Sequence, residues 1–82
     1  MFQDRMEERV REHFEISMRF RHLIEQRIAR LEGDARSDET AIHYLDDSDH
    51  ILRQIRLITA QRAEANRMRR FLENCSTRVP RQ

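Results

Sequence analysis

The chain has 82 residues, of which 38% are charged and 38% hydrophobic, with a formal net charge of +1 and a single glycine, proline and cysteine. That length allows one small domain and leaves no room for a catalytic module beside a binding one. With helix breakers nearly absent, sandwiches, barrels and βαβ units are excluded, since each needs frequent turn signals; the fold class expected is all-α.

Helix 1 is expected over about residues 3–32. Its apolar positions Phe2, Met6, Val10, Phe14, Ile16, Phe20, Leu23, Ile24, Ile28 and Leu31 fall on one side of a helical wheel. The arc covers nearly half the circumference, wider than a two-stranded seam needs, so contact with more than one other helix is expected. His13 and Ser17 sit near the middle of this stripe, where polar residues fix register or partner choice at some cost in stability. Gly33, the natural residue just past a helix end, opens a polar turn over 33–37.

Helix 2 is expected over about 38–75, capped by Ser37 or Asp38 with Glu39 in its first turn. Tyr44, Ile51, Ile58, Ala65 and Leu72 recur every seven residues, accompanied by Leu45, Leu52 and Ile55. Past Arg62 the pattern rotates, and Met68, Phe71, Leu72 and Cys75 point away from the Ile55 face. Residues 76–82 carry no helical period and read as a disordered tail.

These elements predict an antiparallel, coiled-coil-like two-helix hairpin. A tight turn at 33–37 would pair residues whose numbers sum to roughly 72, from helix rise alone. Ile28 would then face Tyr44, Phe20 would face Leu52, Phe14 would face Ile58 and Val10 would face Arg62. Two helices alone leave much of each apolar side chain wet, while ordering costs on the order of 1.5 kcal/mol per residue. Dimerisation into a four-helix bundle is the expected remedy, with Val10, Phe14, Phe20, Ile24, Ile28, Tyr44, Ile51, Ile55 and Ile58 as the core.

Charge is unevenly spread. All sixteen basic residues are arginine; residues 33–50 hold six acids against Arg36, and residues 51–82 hold eight arginines against Glu64 and Glu73. Arg62, Arg67, Arg69 and Arg70 form the best candidate nucleic-acid face, although aromatic platforms for bases are lacking there apart from Phe71. The competing reading is ion pairing with Asp4, Glu7, Glu8 and Glu12 of helix 1.

Catalytic chemistry finds no foothold in the pattern. His43, Asp47 and His50 share a helix face at metal-ligand spacing, but no Glu-x-x-His partner motif accompanies them, and a solvated acidic face is the expectation. No acid is placed to orient His13, and no glycine-rich loop could supply an oxyanion site. No cofactor is expected, and Cys75 has no disulfide partner in the chain. No run of about 20 apolar residues is present to span a bilayer, and Met1–Glu8 lacks the pattern of a secretory signal. A cytoplasmic location follows as the expectation.

The function expected is therefore non-enzymatic. The chain reads as an adaptor, small chaperone or regulatory subunit that binds itself or a helical protein partner, through Phe2, Met6, Arg62, Met68, Phe71 and Leu72 at the open end of the hairpin. The alternative is an RNA- or DNA-binding bundle using the arginine face.

Overall fold

The computed structural model describes residues 14–78. Strand β1 (Phe14–Ser17) leads into helix α1 (Met18–Ile42); helix α2 (Ser48–Glu73) follows a five-residue connection and leads into strand β2 (Cys75–Arg78). Two helices of 25 and 26 residues make the protein mostly helical. The strand pair is an addition to the all-α expectation.

The chain departs from a helix before residue 18 for a local reason. Phe14-Glu15-Ile16-Ser17 alternates in side-chain character, and only Ile16 is buried. Ser17 is extended (ψ 156°), and its hydroxyl accepts the Phe20 N–H at 3.1 Å. It thus caps α1, and its expected place within a helical core stripe does not hold. β1 pairs in parallel with β2 in the register Phe14 with Cys75, Glu15 with Ser76, Ile16 with Thr77 and Ser17 with Arg78. Residues 76–78 are therefore part of the fold, not of a disordered tail. The Glu15 carboxylate accepts the Arg78 Nε–H at 2.9 Å, and Phe14 stacks on Phe71 with ring centroids 5.7 Å apart.

The turn expected at Gly33 is also displaced. Gly33 lies inside α1 without a positive φ, and nothing lies within 4 Å of the space a Cβ would take. The helix continues because the seam continues. Ile24, Ile28, Leu31, Ala35, Asp38 and Ile42 recur at alternating four and three residues, and every one is buried or half-buried. A mid-helix glycine costs only about 1 kcal/mol relative to alanine, and further turns of cross-helix packing offset that. The connection spans residues 43–47, where the Tyr44 and Leu45 N–H groups bond to the Ala41 and Ile42 carbonyls. Asp47, extended in backbone, caps α2 by accepting the Asp49 N–H at 3.0 Å.

On α2 the matching stripe is Ile51, Gln54, Ile58, Gln61, Ala65, Met68 and Leu72, again buried or half-buried throughout. The side-chain pairs across the seam are Glu32 with Arg69, Asp38 with Gln61 and Glu39 with Arg62. Paired numbers add to 99 or 101 rather than 72, and the turn lying ten residues later accounts for about 20 of that difference.

The core sits at the strand end. Ile16, Ile28, Ala65 and Leu72 form it, with Ile24, Leu31, Met68, Phe71 and Cys75 packed against it. Among the expected core residues, Ile24, Ile28, Ile51 and Ile58 lie on the seam. Phe14, Phe20, Ile55 and Tyr44 do not: each is exposed, Tyr44 at 83%. Phe14 lies in β1 and Tyr44 in the connection, while Phe20 and Ile55 lie off the seam positions of their helices. Val10 and His13 lie outside the described residues.

Candidate interaction surface

Each long edge of the seam has its own chemistry. On α1, Glu25, Glu32 and Glu39 follow one edge at seven-residue spacing, and on α2 Arg62 and Arg69 line the same edge. Arg69 grips Glu32 through both its Nε–H (3.1 Å) and an Nη–H (2.6 Å), and Arg62 pairs with Glu39. The Arg69 guanidinium holds the Glu32 carboxyl below the usual carboxylate range, chiefly by hydrogen bonding, and the Arg69 pKa is raised in return. A shallow groove beside this pair is lined by Arg21, Glu25, Ala29 and Glu73, with Ile28 and Leu72 at its floor.

This pairing divides the arginine face read from the sequence. Arg62 and Arg69 pair with α1, and Arg67 pairs with Glu64 on its own helix. The partners are Glu39 and Glu32, not the acids of residues 4–12, which lie outside the described residues. Of the four, Arg70 alone makes no ion pair among the described residues. Arg53 and Arg56, three residues apart and with Arg56 fourteen residues before Arg70, share its outward side of α2 and are likewise unpaired among the described residues.

The residues expected to bind a partner at the open end are used inside the fold. Leu72 is buried, Met68 packs against the core, and Phe71 lies half-buried beneath Phe14. Phe2 and Met6 lie outside the described residues. Truncating Met68, Phe71 and Leu72 would therefore remove core contacts and test folding rather than docking. The cluster His43, Asp47 and His50 is likewise structural in part, since Asp47 caps α2 and His50 Nδ1 lies 3.9 Å from its carboxylate. Among the described residues no group of three or more His, Cys, Asp or Glu side chains is arranged to hold a metal ion, and no helix is long and apolar enough to cross a membrane.

What remains open is apolar. Phe20, Leu23, Tyr44, Leu52, Ile55 and Leu57 all stand about half exposed or more. Phe20 and Leu23 belong to the edge of α1 opposite the glutamates, and Tyr44 lies in the connection; Leu52 and Ile55 lie on the arginine side of α2 near the turn. Phe20, Tyr44 and Ile55, expected in the core of a four-helix bundle, are exposed in the single chain. The chain matches no protein-family model, and comparison with curated proteins and with solved structures found no match.

Proposed function

We propose that this protein works by binding, as an antiparallel helical hairpin that associates with further helices into a bundle. One observation carries the reading. The fold is a single layer about 11 Å through its thinnest dimension, the depth of one helix, and large apolar side chains stand uncovered on both of its broad sides. Completing the burial of each half-exposed side chain gains about 1 kcal/mol, so a second helical layer has several such contributions to draw on. Adaptors, small chaperones and regulatory subunits operate through such surfaces. Light scattering from low to high micromolar concentration tests it: association into a dimer of about twice the 10.1 kDa chain mass supports the reading, and a cooperatively folded monomer throughout overturns self-association.

A second reading rests on Arg53, Arg56 and Arg70, guanidinium groups on the outer side of α2 that make no ion pair among the described residues. An RNA or DNA partner held there would dissociate steeply as salt rises, whereas a helical protein partner packed on apolar side chains would not.

A further inference from the structure

Along the edge of α1 opposite its paired glutamates runs a second regular column at alternating three and four residues, Phe20, Leu23, Arg27, Arg30, Asp34, Ser37 and Ala41, and Tyr44 follows three residues on in the connection. Every residue of it is exposed. None of its charged residues, Arg27, Arg30 and Asp34, makes an ion pair among the described residues. The column is also self-complementary about residue 32. Reversed upon itself, it sets Phe20 against Tyr44, Leu23 against Ala41, Arg27 against Ser37 and Arg30 against Asp34: aromatic meets aromatic, aliphatic meets aliphatic, one cation meets a hydroxyl and the other an anion.

That property has a use only where the column meets itself running the opposite way. A two-fold interface requires that if one residue contacts another across it, the reverse contact also forms. We infer that a second copy of this chain packs antiparallel on this face of α1, with the two-fold axis near residue 32 and Arg30 of each copy on Asp34 of the other. The inference rests on the bundle reading above and names its surface and its orientation. A parallel pairing in register would set Arg30 against Arg30 and Asp34 against Asp34, so charge selects the antiparallel arrangement. The aromatic ends then close over the aliphatic positions, and the ion pairs at the centre fix the register.

The test is a charge swap. The single variants Arg30→Glu and Asp34→Arg each place like charges at both central contacts of a homodimer, and each is expected to weaken dimerisation by about tenfold or more. Mixed one to one, they form a heterodimer in which both contacts are again opposite in sign, and sedimentation is expected to show dimer recovered at the wild-type concentration. Helix content by circular dichroism in each single variant separates loss of association from loss of fold. A wild-type dimer unmoved by either variant would overturn this face and leave the bundle reading standing. Variants that weaken the dimer without rescue on mixing would overturn the antiparallel register. A folded wild-type monomer would overturn both the inference and the self-association it rests on.

Discussion

Where α1 and α2 leave the strands, the seam between them is filled by Ile28, Ala65 and Leu72, and Ile16 of β1 closes it. Nearer the turn the layers change character: Asp38 meets Gln61 at 3.2 Å, and Gln54 and Gln61 each hold a buried Oε1 without a hydrogen-bond partner among the described residues. Only Ile58 is buried among the large side chains there. The strand end thus contributes most of the stability, while the turn end uses polar layers whose benefit is specificity of alignment, since misaligned helices would bury these groups against apolar neighbours. Local opening should therefore begin at the turn.

The largest effect expected is at the strand end. Leu72→Ala removes a buried side chain from the centre of the core and should lower unfolding free energy by about 2–5 kcal/mol in urea titrations. The half-buried Ile51 near the turn is the contrast, and Ile51→Ala should cost clearly less. Equal losses would mean that the two ends are equally well packed, and the comparison would fail.

Next in size is the polar layer. Asp38→Ala leaves the Gln61 amide without its partner and should cost about 1–3 kcal/mol. Replacing both Asp38 and Gln61 by leucine should be neutral or stabilising, because no polar group is then buried unpaired. A double variant less stable than Asp38→Ala would show that the polar pair contributes attraction beyond mutual satisfaction.

Gly33 gives a smaller effect of opposite sign, and it also shows what the sequence did and did not make legible. The α2 column Ile51, Ile58, Ala65 and Leu72 is readable directly, because it repeats every seven residues without interruption. On α1 the same regularity is disguised after Leu31 by a small residue, Ala35, and a charged one, Asp38, and the conventional place of glycine beyond a helix end then outweighs a pattern that continues to Ile42. The Asp46-Asp47-Ser48-Asp49 segment carried the true start signal for α2, but it resembles a solvated acidic face equally well. Strands of four residues are too short for alternation to be distinctive, and ion pairs such as Glu32 with Arg69 depend on a register that follows only once the turn is placed. Since Gly33 is helical and its missing Cβ would meet open space, Gly33→Ala should raise stability by about 0.5–1 kcal/mol. In a hairpin turning at 33–37 with a left-handed glycine, the same change would destabilise, so the sign alone decides where the turn lies.

The smallest effect belongs to the paired edge and is visible only against pH. Glu32 titrates below its ordinary value because the Arg69 guanidinium hydrogen-bonds to it and attracts its charge, with Arg36 adding to the attraction. A carboxyl whose folded pKa lies below its unfolded one stabilises the fold fully above the unfolded value, about 4.3 for glutamate, and loses that contribution as pH falls through the folded value. The difference in urea midpoint between the wild type and Glu32→Gln should accordingly be constant from pH 7 to about 5 and should shrink below about 4. The Arg69 shift is upward from an already high value, so it adds nothing to this window. Arg69 is about half exposed and Glu32 about one third, and salt should reduce the same difference at neutral pH. A gap that persists unchanged at pH 3 would assign the pair's contribution to packing of the two long side chains rather than to charge, and would remove the electrostatic distinction drawn between the two edges of the seam.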